Sequence, residues 1–140
     1  MGRSPGGFGT KLHLICDGNG TPLAVAVSPG QDHETQQLVP LVENILLWPQ
    51  GPAKMAGDKG YSADWIRDWL QERGITPVIP YKKNEKASAN KFDSKSYRRR
   101  NVIERCVNNL KWFRRLATRY EKLATHYLGM VTLAIIFRML

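Results

Sequence analysis

Glu104 is the residue whose surroundings suggest chemistry. It lies in residues 97–115, YRRRNVIERCVNNLKWFRR, a stretch with neither Gly nor Pro that reads as one helix. At about 100° per residue, Val102, Ile103, Cys106, Val107, Leu110 and Phe113 fall between about 140° and 280° and make a core-facing stripe. Tyr97, Arg100, Glu104, Asn108, Lys111 and Arg115 gather between about 300° and 20°. One carboxylate thus shares a narrow stripe with cations and a phenol, beside the apolar stripe rather than opposite it. An ordinary amphipathic helix with solvated charges has the same pattern, so spacing alone leaves both readings open.

Asp58 is the second acid of interest. It follows a short expected strand, residues 54–57, in Asp58-Lys59-Gly60-Tyr61, and a helix comes next, with Ser62 as its expected cap and Asp64 in its first turn. Sites in open α/β sheets collect at strand ends, and Gly60 permits close approach of backbone or ligand. By type Asp58 is equally a turn residue. If Asp58 and Glu104 met in a dent, their hard oxygens would suit Mg²⁺ or Mn²⁺. Such ions activate water or a 3′-hydroxyl and stabilise the leaving oxygen of a phosphodiester. The cations flanking Glu104 would then bind the nucleic-acid backbone. His13 and His33 fit structural roles better, and His126 gives no signal. Trp112 and Tyr120 suit core packing more than base stacking. No nucleophile elbow, phosphate-binding Gly loop or zinc pattern occurs.

The elements that must position these residues come from a chain of 140 residues, one domain by length, with 42% hydrophobic residues, enough for a core. The net charge of +9 is localised. Residues 81–122 hold fourteen Lys/Arg and four Asp/Glu, whereas the remainder holds seven and eight. A concentrated cationic block favours a polyanion, most simply nucleic acid, with an anionic membrane surface as the rival. Cys16 and Cys106 fit a reducing compartment and small apolar roles, with a single disulfide as the alternative. The first ten residues lack the apolar core of a signal peptide, and the apolar run 127–137 is too short to span a bilayer.

Residues 10–17 alternate like a strand, Asp17-Gly18-Asn19-Gly20 is a turn, and residues 23–27 read as a second strand, giving a hairpin. Asp32 is the expected cap of a helix reaching Leu47, with Glu34 in its first turn and Pro40 either kinking it or starting a new one. After Asp58, the helix bearing Trp65, Ile66, Trp69 and Leu70 ends at Gly74, and residues 75–79 form a strand. The order strand, acid, Gly, helix, strand resembles a βαβ unit with parallel strands. Residues 81–95 read as a mobile basic loop ordered by a partner, and residues 122–140 as an apolar last helix.

At this point the sequence resembles the DDE transposases of bacterial insertion sequences, in the group that includes insertion sequences four and five. GRSPGGFGTKLHLICDGNGTPLAVAVSPGQDHE is similar to the family's hairpin region, and AGDKGYSADWIRDWLQERGITPVIPYKKN to the segment around its second catalytic Asp. The C-terminal signature places Tyr, Arg, Glu and Lys with gaps of two, three and six residues, and Tyr97, Arg100, Glu104 and Lys111 meet it throughout. The resemblance implies an α/β, RNase H-like mixed sheet flanked by helices. It implies Asp58 and Glu104 as the second and third catalytic acids and ligands of Mg²⁺ or Mn²⁺. It implies DNA as partner, at transposon ends and target, gripped by Tyr97, Arg100 and Lys111, to which the neighbouring cations Arg99, Arg115, Lys82 and Lys83 add. A bacterial cytoplasmic, nucleoid-associated location and no membrane follow.

The family's first Asp lies on a strand before the GRSPGG segment, where this chain begins. Asp17 sits in a turn and does not replace it. The expectation is therefore the C-terminal part of a transposase, from a truncated copy or a split reading frame, lacking the sheet's first strand. Weak metal binding and poor catalysis follow from two acids. The alternative is a DNA-binding remnant that forms a homodimer or pairs with full-length transposase and regulates it.

Overall fold

A computed structural model describes residues 9–46, 51–85, 92–110 and 124–139. Their elements run β1 (Thr10–Cys16), β2 (Pro22–Pro29), α1 (Thr35–Leu46), β3 (Lys54–Ala56), a 3-10 turn (Lys59–Tyr61), α2 (Asp64–Glu72), β4 (Thr76–Val78), α3 (Ser94–Arg98), α4 (Asn101–Leu110) and α5 (Ala124–Met139). This is a mixed α/β chain, in which the described strands form two separate two-stranded ladders. The chain divides into two compact units, Met1–Asp32 with Asn101–Leu140, and His33–Arg100.

In the first unit β1 and β2 form the expected antiparallel hairpin, Leu12 opposite Val27 and Leu14 opposite Val25. The turn is built locally. Asp17 Oδ1 accepts from the N–H groups of Asn19 and Thr21, each at 2.9 Å, and Gly20 takes the left-handed φ of +89° that glycine tolerates best. Leu12, Leu14, Val25 and Val27 present one face to a cluster of buried Leu110, Tyr127, Val131 and Ala134 from α4 and α5. His13 lies on the other face, buried, with Nε2 2.8 Å from Ser28 Oγ, a structural role as its alternation suggests. Cys16 and Cys106 are free thiols in hydrogen-bond contact between β1 and α4. Burial pushes the Cys16 thiol up to about 11 and raises Cys106 as well.

In the second unit β3 and β4 pair in parallel, Met55 opposite Pro77, with α2 packed on β4 between them in sequence. Gly74, at φ +73°, ends α2 as its C′ residue. Leu38, Leu41, Val42 and Ile45 of α1 are buried, as are Ile66, Leu70, Ile75, Val78 and Ile79. The helix α1 continues through Pro40 rather than ending there. Burial of four apolar side chains around that position, at roughly 1.5–3 kcal/mol each, outweighs the roughly 3 kcal/mol of an interior proline.

Three expectations need correction. Residues 97–115 do not form one helix. Arg99 and Arg100 close a turn after α3, with Arg99 N–H donating to Ser96 O and Arg100 N–H to Tyr97 O, and α4 starts afresh at Asn101. These three-residue closures replace the four-residue bonds a continuous helix needs. Tyr97 and Arg100 therefore belong to one unit and Glu104 to the other. Ser62 does not cap α2. The cap position is Ala63, without a side-chain bond, because the Ser62 hydroxyl is engaged elsewhere. Finally, Asp32 does not cap α1: the helix begins at Thr35, which leaves Glu34 just ahead of its first turn. Within residues 81–95 a turn forms at 82–85 and α3 starts at Ser94.

Candidate active site and nucleic-acid interface

Asp58 stands two residues past β3, where Gly57 N–H still donates to Val78 O of the parallel partner. Its backbone is extended and it caps the 3-10 turn. Oδ1 accepts the Gly60 N–H at 3.0 Å, and its carbonyl accepts the Tyr61 N–H. The capping bond fixes one carboxylate oxygen and leaves the other to face outward. Its outward partner is Arg100, whose Nη1 lies 3.9 Å from Oδ2. The Asp58 side chain is 52% exposed and can meet a ligand.

Arg100 is itself held over the Tyr97 ring, 5.2 Å from its centroid, and the Tyr97 ring meets Phe92 edge-on at 5.4 Å. The helix carrying Tyr97 is tied to the strand that leads to Asp58. Lys54 of β3 donates to Asp93 Oδ2 at 2.9 Å and to Ser96 Oγ at 3.3 Å, while Asp93 caps α3 through the Ser96 N–H. These donors hold the Asp93 carboxyl well below the usual carboxylate range, the Lys54 hydrogen bond first. A tyrosine and an arginine some forty positions downstream are thereby brought beside Asp58.

Sequence reasoning assigned Glu34 only to a helix start. The structure lays its carboxylate against Gly60, so closely that a Cβ there would come within 1.6 Å of Glu34 Oε2. Gly60 is needed for that approach, not for an unusual φ. Tyr61, next in sequence, is half-buried, and its phenol is pushed up to about 12 by burial and then by the negative charges of Glu34 and Asp58. The nearest sequence signal was Gly60 itself, which marked a close approach without naming its partner.

Glu104 lies in the first turn of α4, exposed, where a carboxylate suits the helix dipole. Around it the expected faces hold: Cys106 and Leu110 are buried, Val102, Ile103 and Val107 half-buried, Asn108 exposed. Asp58 and Glu104 belong to different units. Arg99 and Lys83 are exposed and Lys82 half-buried. Lys111, Arg115, Phe113, Trp112 and Tyr120 lie outside the described residues.

The donor chemistry of Asp58 and Glu34, hard carboxylate oxygens at an exposed turn, is of the kind that Mg²⁺ prefers. Among the described residues no group of three His, Cys, Asp or Glu gathers to hold an ion by itself.

The same segments recur in known proteins. Residues 2–139 match the family described as Transposase DDE domain. The chain belongs to that transposase family. A protein of Burkholderia cepacia, named as a candidate transposase for insertion sequence element IS402, is 35% identical over 127 residues, 83% of this chain and 56% of that protein. This chain thus spans about half the length of that relative. A second, from Brucella ovis and named likewise for insertion sequence element IS6501, is 32% identical over 126 residues, covering 89% of this chain and 93% of its own length. No solved structure matches the chain. Among the described residues, no helix of this transposase-family chain is long and apolar enough to cross a membrane.

Proposed function

We propose that the chain is the C-terminal part of an RNase H-like transposase catalytic domain, which in its complete form cuts and joins DNA at transposon ends with Mg²⁺ or Mn²⁺. The observation that carries this reading is the meeting of Asp58, Arg100 and Tyr97 at the end of a parallel strand. Asp58 and Glu104 would hold the metal, with Glu34 seated against the same turn. When bound, the ion supplies Lewis-acid activation of water or a 3′-hydroxyl and stabilises the leaving oxygen. The protein's own part is positional. The Gly60 N–H holds the Asp58 carboxylate by one oxygen. Arg100, stacked on Tyr97, offers a guanidinium to a phosphate oxygen beside that carboxylate. Exposed Arg98 and Arg99, with Lys82 and Lys83, add charge along the backbone path.

Asp58 and Glu104 are two of the acids this reading requires. The test is nicking of DNA carrying the ends of the parent element, with Mg²⁺ or Mn²⁺, with and without an upstream segment that supplies a strand-borne Asp. Cleavage restored by that segment, and removed by Asp58→Asn or Glu104→Gln by two orders of magnitude or more, about the effect of deleting one preorganised electrostatic group, supports the reading. Salt-dependent DNA binding with no cleavage under any of these conditions would replace it by the second reading, a regulatory DNA-binding remnant. The cationic block of residues 81–122 favours DNA under either.

A further inference from the structure

Just after the Asp58 turn lies a compact polar knot that neither acid uses. Arg67 of α2 is only 7% exposed. Its Nη2 donates to Ser62 Oγ at 2.7 Å and to the Ile79 carbonyl at 3.2 Å, and its guanidinium carbon sits 3.8 Å above the centre of the Tyr81 ring. Ser62 in turn donates its hydroxyl to Glu85 Oε2. The same oxygen accepts the Lys82 N–H at 3.0 Å and lies 3.8 Å from Arg67 Nη1. The Glu85 N–H closes a turn on the Lys82 carbonyl at 3.0 Å. One carboxylate oxygen therefore fastens the turn bearing Lys82 and Lys83 to Ser62, four residues past Asp58. Lys83 and Asn84, at the tip, are exposed.

A glutamate within a block this basic is odd on charge grounds alone. Each negative group there weakens attraction to a polyanion. Its hydrogen bonds explain its place. We propose that Glu85 is a positioning residue for DNA binding, which holds the Lys82–Lys83 turn beside the Asp58 turn so that the lysines meet backbone phosphates in a fixed register. The proposal rests on the DNA-binding reading above and names which acid sets the register.

The two explanations of Glu85 predict opposite signs. If only charge matters, Glu85→Ala and Glu85→Gln both remove one negative charge and both tighten DNA. If position matters, they differ. Glutamine keeps one carbonyl oxygen, and one oxygen is all that Ser62 and Lys82 use. Alanine keeps none.

The measurement is the affinity of the full 140-residue chain for a fluorescently labelled duplex of arbitrary sequence, across a salt series, with each variant's melting curve alongside. Glu85→Ala should weaken binding by ~3–10-fold and flatten the salt dependence by ~1–2 units of slope, the loss of one or two phosphate contacts. Glu85→Gln should bind as tightly as the parent or up to ~2-fold tighter, having lost a repulsive charge. Lys83→Ala should cost ~3-fold in the parent and nothing further in the Glu85→Ala background. Tighter binding by Glu85→Ala, or an equal Lys83→Ala effect in both backgrounds, overturns the proposal while leaving the DNA reading intact. If Glu85→Ala does not fold, Glu85 belongs to the fold and the proposal also fails. A parent chain with no salt-dependent binding sinks the DNA reading, and this proposal with it.

Discussion

Arg67→Met offers the sharpest test of how the Asp58 turn is supported. Methionine keeps most of the aliphatic stem, so the perturbation is the loss of the guanidinium. Two hydrogen bonds from a charged donor go with it, to Ser62 Oγ and the Ile79 carbonyl. Bonds of that type contribute about 1.5–3 kcal/mol each. The stack on Tyr81 adds about 1–2 kcal/mol in a desolvated setting. Opposing these is the release of a buried charge whose Nη1 has no hydrogen-bond partner and whose carboxylate neighbours, Asp64 and Glu85, both stand at 3.8 Å. That release returns a few kcal/mol, leaving a net loss of about 2–4 kcal/mol. At about 3 °C per kcal/mol for a chain of this size, the melting temperature should fall by about 6–12 °C. Arg67→Lys, which keeps the charge but not the fork, should fall about half as far. Circular dichroism melts at neutral pH measure both. A drop under about 2 °C for Arg67→Met would mean that burial of the guanidinium cancels its bonds, and the knot would then be no support for the turn.

The remaining predictions concern other groups. Gly60→Ala forces the Glu34 carboxylate off the turn, so it should lower Mn²⁺ binding, read by electron paramagnetic resonance; an unchanged affinity would show that Glu34 plays no part there. The Cys16 thiol, held near 11, exposes roughly a hundredfold less thiolate at pH 8 than a free cysteine, so the native protein should react with iodoacetamide far more slowly than the urea-unfolded chain; equal rates would contradict the raised thiol. Stability should be lost on both sides of neutrality. The depressed carboxyls of Asp17, Glu85 and Asp93 stabilise the fold above the ordinary carboxylate range, and that contribution disappears as pH falls through their lower native values. The raised Cys16 and Tyr61 contribute fully below about pH 8.5 and about pH 10, and lose it as pH climbs toward 11 and 12. Denaturant midpoints across pH would show a plateau between; a midpoint rising steadily to pH 11 would refute the assignment.

What could be read from the sequence was what local chemistry decides. The Asp17 turn forms from its own side chain and Gly20, and Gly74 ends α2 by conformation alone. Hydrophobic spacing sufficed for α1, α2 and the buried face of α4, since an apolar stripe has one side to bury whatever it meets. The break at Arg99 and Arg100 left no mark, because arginine is a good helix former and the stretch holds no Gly or Pro. What divides it lies far off in sequence: Lys54 anchors α3 through Asp93, whereas α4 packs against β1. Ser62 had the right type and place for a cap, yet a glutamate and an arginine from elsewhere took its hydroxyl. At the candidate site Asp58 and Arg100 were singled out by type and order, but their contact, and that of Glu34 with Gly60, depends on chain separations over which no residue pattern reports.

The middle residue of β4 is a proline. Thr76 and Val78 bond toward β3, so Pro77 faces the opposite margin, where it brings no hydrogen to share. A strand arriving on that side would meet a gap at its centre. One arriving beside β3 would find Lys54 and Ala56 with both backbone groups intact. Among the described residues, the parallel pair thus has one flank blunted by proline and one whose backbone groups could take a further strand.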